Sequence, residues 1–214
     1  MACWASCRRP AIRGRFLRGR SVPRKLRPPR VPEGIEACSS ALQPTAELPR
    51  APGETLRYLV DVDGLSVGTI DFKIEKRGSF DGKVVTEYRS LFELDALVSA
   101  FVSVAGRAAA LVPETGFWPV KTMNDYVLEK NHYQEDVTYE LDGKLVASTR
   151  SKNGKSREIR RRFHDPVLDF VSGFYAMRTM TAETAGCTII YGNQRAYTIW
   201  VTPDGTEKIA TPAG

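Results

Sequence analysis

"TLRYLVDVDGLSVGTIDFKIE", residues 55–75, decides the fold class. Leu56, Tyr58, Val60 and Val62 recur at every second position. Further on, Ile70, Phe72 and Ile74 alternate with Thr69, Asp71, Lys73 and Glu75. A period of two belongs to a strand with one face buried. Between the runs sits Asp63-Gly64. Such a pair accepts positive φ at low cost and suits the two-residue turn whose twist matches paired strands. The stretch therefore predicts an antiparallel hairpin.

The same punctuation recurs at Asp81-Gly82, Asp142-Gly143, Asn153-Gly154 and Asp204-Gly205. Strand-like runs lie between, at 83–94, 117–130, 133–141, 144–151, 156–163, 187–192 and 196–202. Regular hairpin signals of this density predict a mainly-β, antiparallel protein. The expected architecture is a strongly curved sheet or incomplete barrel, with one or two helices packed against it. Trp118, Tyr126, Tyr139 and Trp200 then read as core or rim packing.

Two segments break the alternation. Residues 94–106, LDALVSAFVSVAG, can form a short helix with Leu97, Phe101 and Val104 on one side. In "HDPVLDFVSGFYAMR", residues 164–178, Asp165 stands where an N-cap belongs and Pro166 at the first helical position. Val167, Phe170, Val171 and Phe174 follow at helical spacing, and Arg178 suits the negative end of the helix dipole.

Charge divides the chain. Residues 1–50 carry eleven Lys or Arg against three acids, while 51–214 hold twenty basic and twenty-two acidic residues. The tail, 1–52, reads as disordered, because its Arg- and Pro-rich stretch 8–30 has no apolar periodicity with which to build a core. The domain proper is expected at 53–214. A basic arm can neutralise phosphates, so any nucleic-acid or anionic-membrane partner is assigned to 8–30. An Arg-rich, acid-poor opening also fits a transit segment or a misplaced start of translation. No run reaches the length of a membrane-spanning helix. Cys3, Cys7, Cys38 and Cys187 form no C-x-x-C pair, so neither a zinc site nor a structural disulfide is expected, and Cys187 reads as a buried thiol.

Chemistry-bearing motifs are missing. There is no G-x-S-x-G elbow, P-loop or G-x-G-x-x-G. His164 and Asp165 are chain neighbours, a poor arrangement for an Asp that orients a His from behind. His132 reads as a surface residue, and Glu135, Asp136 and Glu140 as a solvent-facing cluster. No catalytic residue, metal ligand or cofactor is assigned. Tyr175 and Arg178, three residues apart on one helix face, are the candidate ligand-binding pair.

Several motifs together resemble an exported bacterial family of unknown function, number 3108. The opening hairpin carries Gly53, Glu54, Leu56, Tyr58, Val60, Gly64, Val67 and Gly68 of its pattern. The helical stretch carries Asp165-Pro166, Ser172, Phe174-Tyr175 and Arg178; FWPVKTM and TEKIATPAG are similar as well. The resemblance covers about 53–214. It implies a β-rich, periplasmic or envelope-associated protein with no established reaction, and a cytoplasmic location is the alternative. Family members usually carry a signal peptide and continue past the position of Gly214, so this sequence is expected to be a fragment. The function expected from these readings is non-enzymatic binding of an apolar, lipid-like ligand or of an envelope protein partner. The alternative is a binding module acting through its basic tail.

Overall fold

The structure, a computed structural model, describes residues 28–42, 47–181, 184–202 and 204. Eight strands follow one another as a meander: β1 (Thr55–Val62), β2 (Leu65–Phe80), β3 (Lys83–Leu94), β4 (Val104–Pro113), β5 (Lys121–Leu128), β6 (Asn131–Glu140), β7 (Leu145–Lys152) and β8 (Lys155–Arg162). They form one antiparallel sheet in sequence order, and β1 does not pair with β8, so the sheet is not closed. A second sheet of three strands contains β9 (Val167–Leu168), β10 (Gly186–Gly192) and β11 (Arg195–Val201), with β10 in the middle. Helix α1 spans Ala96–Ser99 and α2 spans Phe170–Met177.

The turns follow the sequence. Asp63-Gly64, Asp81-Gly82, Asp142-Gly143 and Asn153-Gly154 all have positive φ at both residues and join consecutive strands. Asp204-Gly205 reaches outside the described residues.

Cross-strand register explains the core. Ile74, Tyr88, Ala110, Thr122, Val137 and Ser148 are successive partners across β2 to β7, and all six are buried. Residues directly opposite in a sheet share a face, so these six mark one buried row across the inner face. Helix α2 covers the β2–β4 half of that face. Val171, Tyr175 and Ala176 pack there with Phe72, Ile74, Tyr88 and Val112. The small sheet covers the β6–β7 half, where Val167, Ile189 and Tyr191 meet Val137, Tyr139 and Val146. Each large apolar side chain so buried contributes about 1.5–3 kcal/mol.

Helix α2 begins later than its sequence suggests. Val167 and Leu168 are extended and pair in parallel with Ile189 and Ile190. The N-cap is Asp169, not Asp165. Its carboxylate accepts from the backbone N–H groups of Val171 (2.9 Å) and Ser172 (3.0 Å), and the Ser172 hydroxyl accepts from the Asp169 N–H. This reciprocal capping box satisfies donors that the Asp165-Pro166 start would have left open. Asp165 instead accepts a bond from the Cys38 N–H at 2.7 Å. A Cβ at Gly173 would stand 2.7 Å from the Ile190 side chain, so glycine lets the helix lie close on β10.

The other expected helix, 94–106, shrinks to one turn. Asp95 makes no side-chain cap bond, no residue of α1 is buried, and Leu97 and Phe101 are exposed. From Val104 the chain enters β4. One helix packs against the sheet, not two.

Upstream of Gly53, the described residues 28–42 and 47–52 lie on the body. Arg30 bridges to Arg161 beside β8, and Ala41 to Cys187 on β10. Leu42 and Leu48 are buried. The arm reading of 8–30 falls mostly on 1–27, outside the described residues.

A candidate apolar-ligand cavity

Between α2, the small sheet and β5 lies a cavity of about 460 Å³. The helix contributes Phe170, Phe174 and Met177, with Met180 just beyond it; β10 and β11 contribute Ile190 and Ile199. Among its few polar residues, Asn124 and Tyr126 come from β5 and Asn193 from the β10–β11 turn, and Tyr126 and Asn193 are hydrogen-bonded. Size and lining suit a small apolar ligand with one polar end. The sheet beneath is low: on β4 the inner positions are Gly106, Ala108 and Ala110. A second recess of about 520 Å³, around the β6–β7 turn, mixes Lys83, Glu114 and Asp142 with apolar side chains and gives no comparable surface.

Tyr175 and Arg178 stand away from this cavity wall. Tyr175 is fully buried, its ring 4.7 Å from that of Tyr88 and edge-on to Phe72. Its hydroxyl is buried without a hydrogen-bond partner. Burial pushes its ionisation far above the ordinary phenol value. Arg178 donates to Glu54 at 2.5 Å and lies 5.5 Å from the Tyr175 ring centre. The pair joins α2 to the residues before β1.

Behind the cavity wall, the turn that carries Asn193 is held by Glu135, which the sequence reading placed in solvent with Asp136 and Glu140. Asp136 and Glu140 do face out, but Glu135 is 2% exposed. Adjacent residues of a strand point to opposite faces, and Glu135 shares the face of Tyr133, Val137 and Tyr139. One carboxylate oxygen accepts from the Ser148 hydroxyl (2.7 Å) and the Gln194 N–H (2.8 Å), the other from the Asn193 N–H (2.6 Å). Asn193 and Gln194 both have φ of 57°. Two successive left-handed residues aim their N–H groups at one anion, forming a nest. The β10–β11 turn, which lacks glycine, is thereby pinned over the sheet.

Beside it, the Tyr126 hydroxyl donates to the Asn193 side-chain carbonyl (2.6 Å) and accepts from Arg150 (3.0 Å). Burial raises the Tyr126 ionisation, opposed by the Arg150 guanidinium. Tyr126 stacks on Tyr133 at 5.0 Å, and Arg150 lies over the Tyr133 ring at 4.4 Å. On the opposite face of the sheet, His132 meets Asp125 at 2.6 Å, and Arg107 donates to the same carboxylate. The His132 hydrogen bond holds Asp125 below the usual carboxylate range. His164 is exposed, and Trp200, read as packed, is 64% exposed at the β11 edge.

Cys187 is buried but not a thiol. It forms a disulfide with Cys38, with Cα atoms 5.7 Å apart. The sequence separation of 149 residues hid the pairing. The Cys187 backbone brackets the same contact: its N–H donates to the Ser40 carbonyl and its carbonyl accepts from the Leu42 N–H, both at 2.8 Å.

Fold and site together define a mainly-β protein with a small apolar cavity between its helix and its two sheets. No protein-family model, curated protein or solved structure matches this chain. Among the described residues no helix is long and apolar enough to cross a membrane.

Proposed function

We propose that this chain is a non-enzymatic binding protein for an apolar, lipid-like ligand, held in the cavity beside α2. The cavity itself carries the reading: about 460 Å³ walled mainly by Phe, Met, Leu and Ile side chains, with very little polar surface. Phe170 and Met177 are 55% and 42% exposed at its rim, as an entrance for an apolar molecule requires. The test is titration with the neutral apolar dye N-phenylnaphthylamine. Met177→Glu places a charge at the rim without disturbing a buried position, and should weaken the dye at least about tenfold. Unchanged affinity would refute the cavity as the site.

The compartment we propose is the cell envelope. A disulfide tying Cys38 to Cys187 supports this, because such bonds persist in oxidising compartments and are rare in the cytosol. The resemblance to the exported family 3108 points the same way. Thiol alkylation of the protein in fractionated cells tests it; a freely alkylated Cys187 in the cytoplasmic fraction would count against it.

A second reading, anionic polymer or membrane binding through 8–30, has one supporting observation. Arg30 lies against β8, an edge strand that already carries Arg157, Arg160, Arg161 and Arg162. If it holds, deleting the tail abolishes binding to DNA or anionic vesicles, and the intact chain's affinity falls steeply with salt.

A further inference from the structure

We infer that the ligand of the cavity is an amphiphile with an anionic head, and that Arg150 of β7 selects that head. The inference rests on the cavity reading and adds the ligand's charge to it.

Arg150 is half-buried, one side chain removed from the cavity wall, and reaches it through the Tyr126 hydroxyl at 3.0 Å. Its Nε is buried and has no hydrogen-bond partner. No carboxylate lies within ion-pairing distance of it among the described residues. Glu135 is its cross-strand neighbour, yet both Glu135 oxygens are occupied by Ser148 and the two turn N–H groups. A guanidinium presents five donors in a planar fork and is costly to desolvate without an acceptor. Packing over Tyr133 stabilises the cation, and the Tyr126 hydroxyl takes one donor, but the buried Nε stays unfilled.

Lys152 adds to the same field. Its ammonium lies 5.6 Å from the centre of the same Tyr133 ring, and it pairs with no carboxylate among the described residues. Two cations therefore gather on the Tyr133 ring, which stacks on the cavity-lining Tyr126. Tyr126 connects Arg150 to the cavity: its hydroxyl sits between Arg150 and Asn193 and can turn its proton from Asn193 to an arriving oxygen anion. An apolar molecule without a charge would fill the cavity and leave this fork unused. A chain ending in carboxylate or phosphate oxygens would fill both, since charge-assisted bonds to a guanidinium are about twice as strong as neutral ones.

The experiment is calorimetric titration of the full chain with three ligands sharing one twelve-carbon tail: dodecanoate, dodecyl phosphate and dodecanol. Both anions should bind at least about tenfold more tightly than the alcohol. Relative strength of the two anions then tells a carboxylate from a phosphate head. Arg150→Gln should weaken the anions about tenfold while leaving dodecanol within about twofold. Arg150→Lys should retain part of the preference, and Arg160→Gln, on the opposite face, all of it. Equal affinity for all three ligands would overturn the inference and leave the cavity reading standing. Loss of all three alike in Arg150→Gln would show a packing role and overturn it too. If none of the three binds the wild-type chain, both readings fall. Should Arg150→Gln not fold, the three-ligand comparison on the wild-type chain decides alone.

Discussion

Both halves of the covered face bury an apolar cluster, but only one adds a buried sheet carboxylate to it. Under α2, on β2 to β4, the contact is aromatic and aliphatic: Phe72, Tyr88 and Tyr175 with Ile74 and Val112. Under the small sheet, on β5 to β7, the partners of Ser90 and Ala108 along the same register are Asn124, Glu135 and Arg150. The first half is fastened by burial; the second adds to its own buried cluster a carboxylate gripping a turn. The cavity lies at the seam, so its wall is apolar, with the Tyr126–Asn193 pair and, behind it, Arg150 and Glu135 on one side. Burial is non-directional and tolerates exchange of similar shapes, whereas a buried carboxylate depends on each of its donors.

Breaking the apolar half should cost most. Tyr175→Ala is expected to destabilise by about 3–5 kcal/mol in chemical unfolding, because it empties a fully buried aromatic site. Tyr175→Phe sharpens the point. It removes a buried hydroxyl that has no partner, so it should be neutral or stabilising; a loss above about 1 kcal/mol would show an unseen hydrogen bond. Next comes the disulfide that holds the strap of residues before Gly53. Cys38→Ser opens a closure of 149 residues and should cost roughly 2–4 kcal/mol, an effect matched by reductant on the wild-type chain.

The polar half follows. Glu135→Leu strands the Asn193 and Gln194 N–H groups and should cost roughly 2–3 kcal/mol, with fast hydrogen exchange at those two amides and little change in α2. If α2 amides exchange faster to the same extent, the halves are not separate. The smallest effect lies on the outer face. Asp125 has a lowered folded pKa, so its contribution is fully present above its ordinary value of 3.8 and is lost as pH falls through the lowered one. Asp125→Asn should therefore differ from wild type by at most about 1 kcal/mol at neutral pH, as exposed ion pairs do, and the difference should vanish in acid. A difference that grew on acidification would contradict the assigned cause.

Much of the large sheet was legible because its turns carry Asx-Gly pairs. β4 was not. Its inner positions, Val104, Gly106, Ala108, Ala110 and Val112, are small, so alternation leaves no hydrophobic signal and the Ala-rich run resembles the tail of a helix. Two turns lack glycine: Glu129, with φ of 55°, and Asn193-Gln194. The second is the one that pins the small sheet. Asp169 lay hidden behind the more familiar Asp-Pro start, because Ser172 stands at N3 where the usual capping-box signal has Glu or Gln. The site was less legible than the fold. Tyr175 and Arg178 share one helix end, but sequence spacing could not tell that one faces the core and the other Glu54. Glu135 could have been found, since it alternates in phase with Tyr133, Val137 and Tyr139. Arg150 and Tyr126 meet only through sheet register, which no local pattern encodes.

Methionine offers the most direct measurement of the central claim, occupation of the cavity. The chain has four. Met177 and Met180 line the cavity, and Met123 lies on the opposite face of the sheet. With methionine methyl groups labelled, dodecanoate is titrated and the NMR spectrum followed. The account predicts that the Met177 and Met180 signals shift in a saturable way while Met123 stays in place. Shifts confined to Met123, or no saturable shift at Met177 and Met180, would contradict it.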